Sequence, residues 1–320
     1  MATMAAKLMH ALQYAGYGGG PSGLKHVEVP IPTPKNDEVL LNLEAATINP
    51  IDWKVQKGLL RCAPFCHESS LTFLILIRSS FLTVPSAGTN DSTSPRLATP
   101  SRLVTSGRDR PPEVSAAEGA GLPVAGLTAH QCVTEAAGVK LDGTGPQKNI
   151  LVTAASGGVG TYAVQLAKLG NTHVTATCGA RNIEFIKSLG ADEVLVYKTP
   201  EGEALHSPSG RKYDAVIHCT TGIPWSTFEP NLSPNGKVID ITPSPTALLT
   251  FALKKLTFSK KQLVPLIMNA KAENLDYLVR LVKEGKLKIV IDSKYPLSKA
   301  EEAWGKSIDG HATGKIIVEP

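Results

Sequence analysis

The sequence predicts an α/β protein built on a doubly wound parallel sheet. Three observations carry this. A short apolar strand, a glycine turn and a helix follow one another in KNILVTAASGGVGTYAVQLAKLG, residues 148–170. Strand-like and helical runs then alternate as far as residue 242. Finally, 320 residues with 42% hydrophobic and 19% charged side chains can bury the cores of about two domains.

The first strand is the apolar, β-branched run Ile150–Thr153. Val159, Ala163, Leu166, Ala167 and Leu169 then recur at roughly helical spacing. In the turn between them, Gly157, Gly158 and Gly160 lack side chains, so backbone N–H groups can approach a pyrophosphate and the helix can pack close to the strand. The start of the helix adds partial positive charge facing the phosphates. Ser156, Gly157, Gly158, Val159 and Gly160 are therefore the expected dinucleotide-binding turn of a Rossmann-type sheet.

THVTATCG, residues 172–179, is a second strand, whose end meets the adenosine ribose in such a fold. A carboxylate there would select the free 2′-hydroxyl of NAD, but this chain has Gly179, Ala180 and Arg181. With Arg181 able to pair a 2′-phosphate, for about 1.5 to 3 kcal/mol, NADPH is the expected cofactor. The alternative is that Arg181 is only a solvated residue at a helix start. FIKSLGADEVLVYK, residues 185–198, reads as a helix and a third strand ending at Tyr197 and Lys198. YDAVIHCTTG, 213–222, reads as a fourth strand leading to a loop, and GKVIDIT, 236–242, as a fifth strand. Ser298 and Glu301 suggest a capping box before a last helix, and GKIIVEP closes the chain as a strand.

The net charge of +5 is a weak basic excess, compatible with an anionic cofactor or a membrane surface. No basic run interleaved with aromatics occurs, so no nucleic-acid partner is expected. Five cysteines without framework spacing point to a reducing compartment. Cys62, Cys66 and His67 have the look of half a zinc site, but no second ligand pair follows, and no metal is expected. No evident secretory signal opens the chain. The longest apolar run, Leu71–Ile77, is far too short to span a membrane.

INPIDWKVQKG (48–58), LPVAGLTA (122–129), AASGGVG (154–160), LGADEV (189–194) and HATGKIIV (311–318), in this order, resemble the zinc-independent quinone oxidoreductases of the medium-chain dehydrogenase/reductase superfamily. The likeness covers about residues 5–61 and 111–320. It implies a GroES-like β-barrel catalytic domain over residues 1–125, a Rossmann NADPH-binding domain over 126–270, and a return to the catalytic domain over 271–320. By matching position it implies Arg181 and Tyr197 near the 2′-phosphate, and Thr128 and Asn49 near the nicotinamide. The implied reaction is transfer of the NADPH hydride to a quinone or an α,β-unsaturated carbonyl. Asn49 is the one catalytic candidate, orienting nicotinamide or substrate, although an Asn before Pro50 is equally a turn former. A homodimer and a peripheral place at the chloroplast inner envelope are further implications of the resemblance, with the cytoplasm as the alternative.

Residues 62–110 break the pattern. Between residues 61 and 110 lie six of the nine arginines and none of the 24 lysines, and Ser, Thr, Pro and Arg supply 19 of the 32 residues from Ser79 to Arg110. The family runs P-x-x-P-G-x-D-x-x-G-x-V, G-D-x-V and G-G-x-A-E are absent from it. The expected cause is a retained intron, a shifted frame or a faulty gene model, against a genuine lineage-specific replacement. The barrel is then expected to be incomplete, and the alternative function is a catalytically impaired, membrane-peripheral NADPH-binding relative.

Overall fold

The computed structural model describes residues 7–34, 36, 38–41, 43–59, 73–75, 82–85 and 111–320. The chain divides into two units, one of Met1–Val124 with Ile291–Pro320 and the other of Ala125–Val290. In the first unit lie β1 (Leu8–Tyr14), β2 (Lys25–Pro30), β3 (Glu38–Leu41), β4 (Ala46–Ile48), α1 (Pro50–Gln56), β5 (Phe73–Ile75), β6 (Leu82–Pro85) and α2 (Ala116–Gly121). Helix α3 (Pro123–Gln131) leads into the second unit. There follow β7 (Asn149–Val152), α4 (Gly158–Leu169), β8 (His173–Cys178), α5 (Ile183–Ser188), β9 (Glu193–Val196), α6 (Pro200–Ala204), β10 (Tyr213–His218) and α7 (Trp225–Phe228). The second unit closes with β11 (Leu232–Asp240), α8 (Pro245–Leu256), β12 (Gln262–Pro265) and α9 (Ala272–Lys283). The chain then returns to the first unit with β13 (Ile291–Pro296), α10 (Ala300–Asp309) and β14 (Lys315–Glu319).

The second unit is the expected doubly wound sheet, with six parallel strands in the order β12-β11-β10-β7-β8-β9. The order reverses between β7 and β10, which is where such sheets open a ligand crevice at the carboxyl ends of their strands. Ile150, Leu151 and Val152 of β7 are all buried, as a strand covered on both faces requires. Tyr162, Ala163, Leu166 and Ala167 of α4 are buried with them. Burying each of the larger aliphatic side chains, Ile150, Leu151, Val152 and Leu166, contributes about 1.5–3 kcal/mol.

The second unit runs to Val290, beyond the expected limit of 270. Helix α9 buries Leu278 and Leu281. The Gln165 side chain also clamps the Lys288 backbone, donating to its carbonyl at 3.0 Å and accepting its N–H at 2.8 Å. Strand β11 begins earlier than Gly236, because SPNG, which reads as a turn, sits inside a strand whose register with β10 slips between Tyr213 and Ala215.

The first unit is mostly β. In it β1 pairs with β2 and β5, β3 with β6, and β14 with β13 and β4. Its core gathers Leu12, Tyr14, Ile48, Trp304, Ile316 and Val318. The buried Trp304 indole donates to Gln56 Oε1 at 3.1 Å, while Gln56 Nε2 donates to the Gly20 carbonyl at 2.9 Å. These bonds satisfy polar groups that would otherwise be costly to bury. Within the compositionally unusual interval, β5 and β6 pair antiparallel with β1 and β3. The rest of 62–110, including Cys62, Cys66 and His67, lies outside the described residues.

The capping box expected at Ser298 is displaced. Leu297–Lys299 form a 3-10 turn, and α10 starts at Ala300 with Lys299 as its cap. A reciprocal box forms instead on α2, where Ser115 Oγ accepts the Glu118 N–H at 3.3 Å and the Glu118 carboxylate accepts the Ser115 N–H at 2.9 Å.

Candidate functional site

The glycine turn closes tightly after β7. Ala154 takes a left-handed conformation with φ 47°, and its carbonyl accepts the Gly157 N–H at 2.9 Å. Gly157, in an extended conformation, caps α4. A Cβ on Gly160 would lie 2.4 Å from the Ala154 oxygen and 2.6 Å from the Ala155 Cα, both backbone atoms that cannot give way. Only glycine allows this approach of helix to strand. Ser156, Gly157, Gly158 and Val159 stay partly exposed while Gly160 is buried, so the turn presents backbone rather than side chains. With the first N–H groups of α4 unpartnered within the helix, this cradle fits a pyrophosphate.

The ends of the next two strands bring Tyr197 against the residues just before Arg181. The Tyr197 N–H donates to the Cys178 carbonyl at 3.2 Å, and a Cβ on Gly179 would lie 3.6 Å from Tyr197 Cε1. Arg181 is exposed in the 3-10 turn Ala180–Asn182 that follows, and Tyr197 is also exposed. Lys198, which sequence reasoning left without a role, holds its Nζ 5.8 Å from the centre of the Tyr197 ring. An aromatic face beside one cation, with exposed Arg181 in the turn after β8, suits a phosphorylated ribose.

Across the reversal point, Thr153 Oγ1 lies 3.0 Å from His218 Nδ1 and accepts the Cys219 N–H at 3.0 Å. Burial pushes the His218 pKa down to about 4, so the ring is neutral near pH 7, and the Phe228 ring stands edge-on to it at 5.0 Å. Burial, with the charge of Asp240, pushes the Cys219 thiol up to about 12, too high for a reactive thiolate. A cavity of about 210 Å³ opens here, lined among others by His218, Thr220, Thr221, Trp225, Thr242 and Thr246. Thr242 ties its rim together, its N–H donating to Asp240 Oδ1 at 2.9 Å and its Oγ1 to the Thr220 carbonyl at 3.1 Å. Sequence reasoning missed these hydroxyls. The signal was available in CTTG and ITPSP, which directly follow β10 and β11. Thr128 is buried on α3 and does not line this cavity.

Asn49 belongs to the first unit, where it caps α1 and is buried. The turn-forming reading of it holds at the level of the backbone: it shapes the turn before Pro50, and its own N–H donates to Asp52 Oδ2 at 2.7 Å. Lys315 Nζ donates to Asn49 Oδ1 at 2.6 Å. Burial raises the Asp52 carboxyl to about 6, against the bond from Asn49 and the charge of Lys315. Burial likewise lowers Lys315 to about 8, against the charge of Asp52. Among the described residues, no three His, Cys, Asp or Glu side chains come together to hold a metal ion.

Residues 189–318 match the family model described as zinc-binding dehydrogenase. The chain is 64% identical to the chloroplast envelope quinone oxidoreductase homolog of Arabidopsis thaliana, over 99% of this chain and all of that protein. The chain belongs to the quinone oxidoreductase family of the medium-chain dehydrogenase/reductase superfamily. A second member of this quinone oxidoreductase family, the chloroplastic quinone-oxidoreductase homolog of Spinacia oleracea, is 61% identical over 99% of this chain and all of its own length. The solved quinone oxidoreductase from Coxiella burnetii superposes with a TM-score of 0.76 at 27% identity, covering 98% of this chain and all of that one.

Proposed function

We propose that this protein is an NADPH-dependent, zinc-independent oxidoreductase that reduces quinones or α,β-unsaturated carbonyls. The observation that carries the reading is the grouping of Gly179, Arg181, Tyr197 and Lys198 at the ends of β8 and β9, beside the glycine turn. No carboxylate stands at Gly179–Arg181 to repel a 2′-phosphate, and two cations are at hand. When bound, NADPH supplies the hydride. The chain supplies orientation and electrostatic help: backbone N–H groups of Ser156–Gly160 on the pyrophosphate, Arg181 and Tyr197 on the 2′-phosphate, Thr128 at the nicotinamide end, and the Asn49 amide on a carbonyl or developing enolate oxygen. Neutral His218 and the cavity hydroxyls offer hydrogen bonds without a charge to trap an ionised substrate.

The test is NADPH oxidation with a panel of quinones and short enones, beside a fluorescence titration of NADPH. Turnover with several acceptors is the expected result. NADPH binding without turnover on any acceptor would overturn the enzymatic reading in favour of an impaired relative, and would implicate the replaced interval 62–110.

A second reading concerns location. Helix α8 exposes Leu249, Leu253 and Leu256, with Phe258 beyond its end and exposed Lys255 and Lys260 alongside. An apolar stripe with flanking cations is the chemistry of attachment to an anionic membrane surface. No helix among the described residues is long and apolar enough to cross a membrane. The relatives named for the chloroplast and its envelope support a peripheral place there. Co-sedimentation with anionic vesicles, lost in high salt, is the expected behaviour. A homodimer is the competing occupant of this face, and sedimentation velocity without lipid distinguishes it.

A further inference from the structure

Strand β14 runs antiparallel to β4 with Ile316 opposite Ile48. At the next rung, one residue forward from Ile48 and one back from Ile316, Lys315 therefore stands across from Asn49, and its Nζ donates to Asn49 Oδ1 at 2.6 Å. An ammonium has three donors and no acceptor, so it can face only the oxygen of an amide. The two ends of the Asn49 side chain, which a neutral partner could exchange, are thereby told apart. Among the described residues, no acceptor meets Nδ2.

The surroundings hold this arrangement from both sides. Asp52 accepts the Asn49 backbone N–H at 2.7 Å and supplies the negative charge that faces Lys315. Tyr14 lies close enough to Asp52 to feel its charge. Burying a lysine costs several kcal/mol unless it is paired. Joining β14 to β4 does not require one, since Ile48, Ile316 and Val318 already pack together there. A buried cation aimed at an amide oxygen is better explained by what it does to the amide.

We propose that Lys315 is a positioning residue that fixes the Asn49 amide so that its Nδ2 hydrogens, and not Oδ1, are offered to an oxygen of the bound nicotinamide or substrate. This rests on the reading that Asn49 touches ligand. It adds that a residue 266 positions away in sequence sets the polarity of that contact.

A double-mutant cycle tests it. Asn49→Ala and Lys315→Met should each lower kcat at least roughly tenfold, the scale of a lost oxyanion donor. The double variant should be no slower than Asn49→Ala alone, because Lys315 acts through Asn49. Effects that multiply, or an unchanged kcat in Lys315→Met, would overturn the proposal. An unchanged kcat in Asn49→Ala would instead remove the reading beneath it. In the NADPH-free protein, NMR should resolve the Asn49 side-chain amide as one sharp proton pair in the wild type. That pair should broaden by exchange in Lys315→Met, and an unaltered pair would count against the idea. If Lys315→Met does not fold, Asn49→Asp serves: its carboxylate keeps the Lys315 bond but has no N–H. It should melt near the wild-type temperature yet lose kcat as Asn49→Ala does, and retained kcat would overturn the proposal.

Discussion

Thr153 Oγ1 joins the two strands at which the sheet order reverses, meeting His218 Nδ1 at 3.0 Å while accepting the Cys219 N–H at 3.0 Å. One hydroxyl thus serves both sides of the crevice. Thr153→Val keeps the shape but leaves a buried N–H and a ring nitrogen without this partner. A loss of about 1–3 kcal/mol is expected. Urea unfolding followed by near-ultraviolet signals measures it, and an unchanged midpoint would show that another group takes over.

Burial lowers the His218 pKa to about 4 from the usual 6.5. A group with a depressed pKa contributes stability that is fully present above its unfolded value and disappears as pH falls through the folded one. The window therefore runs from about pH 6.5 down to about 4, and is of order 3 kcal/mol. Thermal melts across this range should fall steeply for the wild type and more gently for His218→Gln. Parallel curves would contradict the assignment.

Gly160 is the position at which the turn tolerates no side chain, since a Cβ would lie 2.4 Å from the Ala154 oxygen. Gly160→Ala must push α4 off β7, at a cost of about 1–3 kcal/mol. NADPH affinity should fall at least tenfold, read by nicotinamide fluorescence. Wild-type affinity would mean that the cradle does not hold the pyrophosphate.

Arg181 is exposed in the turn after β8, and Lys198 lies beside the exposed Tyr197 ring at the end of β9. Losing one charge-assisted bond of about 1.5–3 kcal/mol corresponds to roughly a 10- to 150-fold weaker NADPH complex. Arg181→Ala should show that loss for NADPH and little change for NADH, so the ratio of the two dissociation constants is the measurement. Equal losses for both would place Arg181 away from the 2′-phosphate.

The nucleotide-binding half was legible because its signals are local. β7 is a run of apolar residues, the turn is spelled by Gly157, Gly158 and Gly160, and β8, β9 and β10 fall within a residue or two of where β-branched runs place them. Strand β11 was misjudged at its start because SPNG is turn chemistry accommodated by a register slip against β10. The Ser298 box was misplaced for a similar reason: the pattern is there, but a 3-10 turn consumes the capping residue.

By itself, then, the sequence determined the parallel α/β architecture, the glycine cradle and the cationic end of β8, since each depends on the conformational preferences of neighbouring residues. Tertiary structure alone decided that Lys315 meets Asn49, that Gly179 lies against Tyr197, that α9 belongs with the second unit, and that the hydroxyls after β10 and β11 share one cavity. These contacts join residues far apart in the chain. They form because burial removes water from polar groups and leaves each of them to find its partner wherever the packed backbone brings one within reach.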